Sequence, residues 1–170
     1  QGPEASPKPK QTIRAGDLAP HLKVSRWLQG EAVTKFEPGK VYVVEFWATW
    51  CGPCIAFMPH LAELQAQYKD KGVTVIGFSP KDNNNTEQKV TQCLKNRAKK
   101  LDYTFAFADD RDTHTAWQPA GGARGIPNAF VVGYGRDYSD VAPIVGVLKT
   151  TGGQVGEQAV DVIPVALEKV

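Results

Sequence analysis

The chain has 170 residues and a formal net charge of +2 at neutral pH. A chain of this length can bury the core of one globular domain but is too short for two. Its acidic and basic residues are interspersed, so the charge gives no reason to expect a nucleic-acid partner. The densest basic run, Lys95 to Lys100, is interpreted as a solvated helix face.

The N-terminal residues are predicted to form a linker. Residues 1–10 contain three prolines and no apolar periodicity, a composition typical of disordered or semi-extended segments. We therefore expect a disordered linker over residues 1–12 and one domain over residues 13–170. No signal peptide and no run of about 18 apolar residues is present, so the chain as given is expected to be soluble. The linker suggests that a signal peptide or a membrane anchor was removed upstream.

The first predicted elements lead into a buried strand. Leu22, Val24 and Trp27-Leu28 indicate one short strand. Val41 to Trp47 is β-branched or aromatic at nearly every position, as in a central parallel strand that is covered on both faces. The one charged residue in this strand is Glu45.

A helix is predicted from the Cys51-Gly52-Pro53-Cys54 motif to about Tyr68. Its apolar face is formed by residues at helical spacing, namely Ile55, Met58, Leu61, Ala62 and Leu64. Pro53 suits the first turn, where its missing N–H is not needed. Gly72 lies at a plausible C-cap.

The spacing of the two cysteines predicts redox chemistry. Residues three apart on a helix have Cα atoms about 5 Å apart, within the range that a disulfide requires. Cys51 at the helix N-terminus would have its pKa lowered by unpaired backbone N–H groups and the helix dipole, which makes it the candidate nucleophile. Cys54, one turn further in and more buried, would attack the mixed disulfide that Cys51 forms.

The second half of the predicted domain alternates strands and helices. The expected strands are Val73 to Ser79, Tyr103 to Ala108, Phe130 to Gly133 and an edge strand within Val141 to Leu148. Three helices are expected. The first begins at Asn85, which with Gln88 resembles a cap, and runs to about Leu101. The second runs from a cap at Asp112 to Trp117, and the third covers Val155 to Val170 with an interruption at Pro164.

The remaining cysteine and histidines bear on metal binding. A CxxC motif could bind zinc, but zinc needs a second pair of ligands. Cys93 and the histidines His21, His60 and His114 stand singly, so we expect no metal and no cofactor. Cys93 is interpreted as a small buried hydrophobe on the inner helix face, with a third redox thiol as the alternative.

The string Trp47-Ala48-Thr49-Trp50-Cys51-Gly52-Pro53-Cys54 resembles the active site of thioredoxin-like proteins. Phe46 to Cys51 is similar to the TlpA/ResA branch of extracytoplasmic thiol-disulfide oxidoreductases. Pro59 stands where that family has a kinking proline, and Gly125-Ile126-Pro127 resembles its cis-proline loop. The segment Gly16 to Pro20 resembles an opening shared by TlpA-like and peroxiredoxin-like proteins. The resemblance extends from about Gly16 to Gly135, but the approach to Pro127 is richer in glycine than in relatives.

The resemblance implies an α/β, thioredoxin-like fold: a central mixed sheet flanked by helices, with an N-terminal extension. It implies that Ile126 pairs its backbone with an extended substrate and that Pro127, with a cis peptide bond, keeps an N–H away from the sulfurs. Trp47 is assigned to the core. The expected substrate-binding residues are Trp50, Gly52, Pro53, Ile126 and Pro127.

Glu45 lies six residues before Cys51, where thioredoxin-like proteins hold a buried acid. Burial of a carboxylate raises its pKa, so Glu45 could exchange a proton with Cys54. The alternative is a structural glutamate that is satisfied by hydrogen bonds or by a lysine. With Cys51 and Cys54, Glu45 completes the predicted catalytic set.

We therefore expect a protein disulfide reductase that exchanges a dithiol for a disulfide with cysteine-containing protein substrates. Its Gly-Pro dipeptide resembles that of reducing thioredoxins, and one client class implied by the resemblance is apocytochrome c. The expected setting is the bacterial periplasm or cell envelope, where a monomer receives electrons from a membrane-bound thiol donor. The alternatives are a peroxiredoxin-like peroxidase and a non-catalytic binding module with a structural disulfide.

Overall fold

The computed structural model describes residues 17–97, 100–118 and 125–133, and the backbone of residues 144–148. The elements in chain order are β1 (Arg26–Gln29), β2 (Val41–Phe46), α1 (Gly52–Tyr68), β3 (Val73–Pro80), α2 (Glu87–Lys95), β4 (Thr104–Ala108), α3 (Asp112–Trp117), β5 (Asn128–Gly133) and β6 (Ile144–Leu148). A short 3-10 turn, Lys69–Lys71, follows α1. No helix in these ranges is long and apolar enough to cross a membrane.

The strands form one mixed sheet in the order β1-β4-β3-β2-β5-β6. Strands β2, β3 and β4 are parallel neighbours, and the other three strands pair antiparallel at the two sides. Parallel neighbours require crossover connections, and α1 and α2 lie in these connections. The predicted mixed central sheet with flanking helices is therefore confirmed.

Strand β2 occupies the centre of the sheet because its residues suit burial on both faces. Every residue from Val41 to Phe46 is buried. The strand pairs in parallel with β3 and antiparallel with β5, so both of its backbone edges are hydrogen-bonded. Glu45 lies opposite Gly77 on one side and Ala129 on the other.

Helix α1 begins at the cysteine motif and ends before a left-handed glycine, as predicted. Cys51 is its N-cap, and Gly72 has φ +81° after the 3-10 turn. Seven residues of α1 are buried: Cys54, Phe57, Met58, Leu61, Leu64, Gln65 and Tyr68. Ile55 and Ala62, predicted for the apolar face, are only partly buried. Gln65 is buried instead, because its side chain bonds the backbone of Val73 and Val75.

The sheet separates two hydrophobic clusters. One cluster joins Val43 and Trp47 to the buried faces of α1 and α2. The other joins Phe46 and Phe130 to Trp117 of α3. Ile126 contacts both clusters from the loop before β5. The two faces of the sheet therefore meet where β2 ends and β5 begins.

Several predicted element ends were wrong. Helix α2 ends at Lys95 and not near Leu101, and its N-cap is Thr86, whose side chain accepts from Lys89 N at 3.3 Å. Asn85 is not the cap. At α3 the N-cap is Arg111 and not Asp112, which is the first helical residue.

Strand β1 is also shorter than the predicted segment that began at Leu22. Strand β6, Ile144–Leu148, pairs antiparallel with β5 at the edge of the sheet, as predicted for the edge strand within Val141 to Leu148. The linker of residues 1–12 and the closing helix of residues 155–170 lie outside the described residues, as does most of the glycine-rich approach to Pro127.

Candidate active site

The cysteine motif lies at the carboxyl end of β2, where the chain turns into α1. We call residues 47–51 the active-site turn. Trp47 N donates to Phe78 O at 3.1 Å, and Cys51 N donates to Ala48 O at 3.1 Å. Ser79 Oγ donates to Trp47 O at 2.9 Å. The turn is therefore fixed to the end of β3 before the helix begins.

The two cysteines form a disulfide, as their spacing predicted. Their Cα atoms are 5.2 Å apart. Cys51 Sγ accepts a hydrogen bond of 3.2 Å from Cys54 N, which is one of the free N–H groups at the start of α1. Cys54 is fully buried and Cys51 is 3% exposed. A negative charge forming on Cys51 Sγ would be stabilised by this donor and by the helix N-terminus.

Glu45 is fully buried on the same central strand. Among the described residues neither of its carboxylate oxygens has a hydrogen-bond partner. Burial without compensation raises the pKa of Glu45 well above its ordinary value. The structure contains no lysine or hydrogen bond that would support the alternative of a satisfied structural glutamate, as far as the described residues extend.

Two other buried polar groups lie unpaired near Glu45. The Trp47 indole N–H and the Tyr103 hydroxyl have no hydrogen-bond partner in the described part of the chain. The pKa of Tyr103 is raised well above its usual range by burial, and further by the neighbouring Glu45 and Cys93. Sequence reasoning assigned Trp47 to the core, which is confirmed. It did not identify Tyr103 as a neighbour of Glu45, because β4 is far from β2 in sequence.

Trp50, Gly52 and Pro53 form the exposed rim of the motif. Trp50 is 57% exposed, although it is a large aromatic residue. Its indole Nε1 donates to Asp82 Oδ2 at 2.9 Å, which fixes the ring beside the disulfide. An exposed, oriented aromatic face is available for contact with a substrate.

The loop before β5 has the predicted cis peptide bond between Ile126 and Pro127. Gln118 holds this loop: its Nε2 donates to Gly125 O at 3.3 Å, and its Oε1 accepts from Asn128 Nδ2 at 2.7 Å. Gln118 and Asn128 are both buried. No motif in the sequence indicated this support, which joins the end of α3 to the start of β5.

Asn85 holds the active-site turn through its side-chain amide, and sequence reasoning missed this role. Its Oδ1 accepts from both the backbone N and the hydroxyl of Thr49, each at 2.9 Å. Its Nδ2 donates to Ser79 Oγ at 2.8 Å and to Pro80 O at 2.9 Å. Asn85 is fully buried. One side chain thus ties the turn to the end of β3.

A cavity of about 210 Å³ opens beside the active-site turn, on the face of the sheet that carries α3. We call it the α3 cavity. Apolar side chains line it at the turn and at the cis-proline loop, namely Phe46, Trp47, Trp50 and Ile126. Charged or titratable side chains line its other part, namely Asp82, Arg111 and His114.

Cys93 lies on α2 and is half-buried, less than predicted. Arg97 Nη1 donates to Cys93 Sγ at 3.4 Å and to its carbonyl at 3.3 Å. Burial nevertheless raises the pKa of this thiol. The described residues contain no group of three or more metal-binding side chains.

The comparisons with known proteins agree with this geometry. Residues 14–132 match the redoxin family model. The chain is 33% identical over 138 residues to the thiol-disulfide oxidoreductase ResA of Bacillus cereus, an alignment that covers 81% of this chain and 73% of ResA. It is 30% identical over 129 residues to protein FixW of Rhizobium leguminosarum, which covers 71% of this chain and 57% of FixW. The chain thus spans little more than half of FixW.

Solved structures support the fold. The thioredoxin domain of a thiol-disulfide oxidoreductase from Bacteroides vulgatus superposes with a TM-score of 0.65 at 19% identity, covering 89% of this chain and 99% of that domain. StoA from Bacillus subtilis superposes with a TM-score of 0.58 at 17% identity, covering 84% of this chain and 99% of StoA. These likenesses show a thioredoxin-like fold. Together with the alignment to ResA, they show that the chain belongs to the redoxin family and, within it, to the TlpA/ResA-type thioredoxin-like proteins.

Proposed function

We propose that the protein is a thiol-disulfide oxidoreductase that reduces disulfides in protein substrates. The proposal rests on one observation. A disulfide lies at the N-terminus of α1, near a cavity and a cis-proline loop, and its Cys51 Sγ accepts a hydrogen bond from Cys54 N. The pair spans one helical turn, so it can form and break without rearrangement of the helix. ResA, with which the chain aligns over 73% of its length, is named a thiol-disulfide oxidoreductase.

In the proposed reaction the reduced form acts on a substrate disulfide. The Cys51 thiolate attacks one substrate sulfur, and the other substrate sulfur leaves as a thiolate that takes up a proton. Cys54 then loses its proton and attacks Cys51 Sγ, which releases the second substrate thiol and forms the Cys51–Cys54 disulfide. Two electrons pass to the substrate, and a donor dithiol must return them to the protein.

We assign Glu45 the proton exchange with Cys54. Burial raises the pKa of Glu45 well above its ordinary value, which favours the protonated form in the disulfide state. When the donor dithiol opens the disulfide, Glu45 can give its proton to the Cys54 thiolate. In the forward reaction the Glu45 carboxylate accepts the Cys54 proton, which increases the nucleophilicity of Cys54.

Substrate binding is proposed for the exposed rim and the cis-proline loop. Trp50, Gly52 and Pro53 would contact the substrate around its disulfide. Ile126 would pair its backbone with an extended substrate segment, which is strand addition. Pro127 has no backbone N–H and would keep a donor away from the sulfurs.

The proposed setting is extracytoplasmic, in the periplasm or cell envelope. Such a compartment keeps no thiol-reducing pool, so the electrons would come from a membrane-bound thiol donor. We propose that the chain acts as a monomer. Apocytochrome c is one client class with cysteines that need reduction.

The redox potential of the Cys51–Cys54 pair tests this function. The pair is equilibrated with a glutathione series and its thiols are trapped, in a Cys93→Ser background that removes the third cysteine. A potential between about −220 and −290 mV is expected for a reductant. A potential above about −180 mV would contradict a reducing role, and a bridge that does not open under any of these conditions would indicate a structural disulfide.

A further inference from the structure

The α3 cavity has a basic part that the proposed exchange chemistry does not use. Arg111 and His114 line it from the N-cap and the first turn of α3. Ala48 and Trp50 line the cavity, and both belong to the active-site turn that ends at Cys51, whose N donates to Ala48 O at 3.1 Å. A substrate segment that lies along Ile126 would therefore bring its neighbouring side chains toward Arg111 and His114.

Arg111 forms no ion pair with an acid among the described residues. Its Nη1 donates to Lys81 O at 3.1 Å, and no carboxylate lies within 4.0 Å of the guanidinium there. The aspartates on either side of it are paired elsewhere: Asp110 and Asp112 with Lys23, at 2.8 and 2.7 Å. Most N–H donors of Arg111 therefore remain available to a ligand.

His114 adds a second donor to the same part of the cavity. The ring is half-buried and lies edge-on to Phe46, with the ring centroids 6.4 Å apart. Its side chain makes no hydrogen bond to another described residue. Burial and the nearby Arg111 lower its pKa, while Asp82 raises it.

Asp82 is the one acid that lines the described part of the cavity, and each of its oxygens accepts one hydrogen bond. Oδ1 accepts from Asn84 N at 2.7 Å, and Oδ2 accepts from Trp50 Nε1 at 2.9 Å. The carboxylate is thus held toward the active-site turn. Arg111, apart from its bond to Lys81 O, and His114 therefore present N–H donors without a hydrogen-bond acceptor among the described residues.

We infer that Arg111 and His114 form a subsite for a carboxylate side chain of the substrate polypeptide, an aspartate or glutamate within a few residues of its reactive cysteine. A guanidinium can bind a carboxylate through two parallel hydrogen bonds, which gives direction as well as charge. The inference rests on the proposed function and deepens it, since it names the substrate class that the site prefers.

The test uses synthetic peptide disulfides and the reduced protein. Glutamate is placed in turn at each of the three positions on either side of a single cysteine, and every peptide has a glutamine counterpart. The second-order rate of oxidation is followed by stopped-flow tryptophan fluorescence. For at least one position, the glutamate peptide is expected to react about two- to fivefold faster than its glutamine counterpart at low ionic strength, and added salt should reduce this preference.

Variants of Arg111 test whether the preference for glutamate peptides depends on this residue. Arg111→Gln should remove it without slowing the glutamine peptides, and Arg111→Glu should reverse it in favour of a lysine peptide. Lys95→Gln is the matched control, since it removes one positive charge from an exposed position on α2. Equal rates for all glutamate and glutamine pairs in the wild type, or a preference that survives Arg111→Gln, would overturn the subsite.

A binding measurement separates this inference from the exchange reaction. Peptides with serine in place of cysteine are titrated into the oxidised protein, and the ring resonances of His114 and Trp50 are followed by NMR. Tighter binding of the glutamate peptide, lost in Arg111→Gln, would support the subsite even if no peptide disulfide were reduced. A failure of reduction alone would count against the proposed function, whereas binding without any preference would count against the subsite.

Discussion

Glu45 is an acid in a position where the described fold does nothing to stabilise its charge. Both carboxylate oxygens are buried and unpaired there. The ionised form would lose its hydration without compensation, so burial favours the protonated form of Glu45. The ionised group weakens the fold above its ordinary pKa, so stability does not account for its presence, and we propose proton exchange with Cys54 as its role.

The raised pKa of Glu45 predicts how stability depends on pH. The pKa of Glu45 is higher in the folded protein than in the unfolded chain. At a pH between these two values, the folded protein keeps the proton and the unfolded chain has lost it. The penalty from Glu45 is therefore absent below the unfolded value and grows as pH rises toward the folded pKa. The free energy of unfolding of Glu45→Gln should exceed that of wild type by a margin that increases with pH, at up to about 1.4 kcal/mol per pH unit.

Urea unfolding of the oxidised proteins between pH 5 and 8 measures this margin. Glu63→Gln is the matched control, because Glu63 is an exposed glutamate on α1. The control should leave the pH dependence of wild type unchanged. If the free energies of unfolding of wild type and Glu45→Gln change in parallel with pH over this range, the pKa of Glu45 is not raised in the folded protein.

At the scale of elements, Asn85 connects the loop before α2 to the active-site turn. Asn85→Ala would leave the backbone N and hydroxyl of Thr49, and the groups of Ser79 and Pro80, without their buried partner. Because several buried groups lose the same partner, the substitution should lower the free energy of unfolding by about 2–4 kcal/mol. The measurement is urea unfolding at pH 7.

Asn84→Ala provides the matched control for Asn85. Asn84 is the preceding residue and is exposed, and its recorded hydrogen bonds involve only its backbone N and O. The control should change the unfolding free energy by less than about 0.5 kcal/mol. Equal effects of the two substitutions would mean that Asn85 does not hold the turn.

Gly77 is the position on β3 that lets Trp47 and Phe105 pack across the sheet. A Cβ at Gly77 would lie 2.7 Å from two ring carbons of Phe105 and 3.2 Å from Trp47 Nε1. Phe105 is itself fully buried, 4.3 Å from the ring of Tyr103. A methyl group therefore has no space unless these rings move.

Gly77→Ala should consequently destabilise the protein by about 1–3 kcal/mol in urea unfolding, as expected for overpacking of a core. Gly52→Ala serves as the control, since a Cβ there meets no atom within 4 Å. The control should stay within about 0.5 kcal/mol of wild type. A stability of Gly77→Ala equal to that of the control would show that the rings can adjust freely.

The parts of the site that sequence could predict are those whose information is local. Cys51 and Cys54 are three residues apart on one helix, so their pairing followed from helical geometry alone. Asn85 was predicted to be a helix cap, because asparagine suits that position. Its amide is instead used by Thr49, which is 36 residues away in sequence, and the neighbouring Thr86 caps α2. A partner at that distance leaves no periodic signal.

The α3 cavity could not be predicted for the same reason. Its lining residues come from β2, the active-site turn, the loop after β3, α3 and the cis-proline loop. Arg111 and Asp112 in the sequence indicated only a turn and a cap. Asp110 and Asp112 pair with Lys23, which precedes them by almost 90 residues in sequence. Only the fold shows that these aspartates are paired with Lys23 and that Arg111 forms no ion pair among the described residues.

At the scale of the whole molecule, the sheet separates chemistry from recognition. The face that carries α1 and α2 holds the two cysteines within its core cluster. The face that carries α3 holds the cavity with Arg111 and His114. The active-site turn and Ile126 are the places where these faces meet, since Ile126 contacts both core clusters. A substrate bound at this boundary can be recognised on one face and react on the other.

The oxidation state of the Cys51–Cys54 pair should therefore change the stability of the whole fold. Both cysteines are buried, so a reduced pair places two thiols, or a thiol and a thiolate, in a site that the disulfide fills without charge. A strong oxidant is a protein whose reduced form is stabilised, and a reductant shows the opposite. For the proposed reductant, the disulfide form should have the higher free energy of unfolding.

Urea unfolding of the disulfide form and of the dithiol form, both in the Cys93→Ser background, measures this difference. By the thermodynamic cycle, each 30 mV by which folding lowers the potential of the pair corresponds to about 1.4 kcal/mol of extra stability in the disulfide form. The potential of the urea-unfolded chain completes the cycle and serves as an internal check. A dithiol form that is more stable than the disulfide form would make the protein an oxidant, because the fold would then drive electrons onto Cys51 and Cys54 and not away from them.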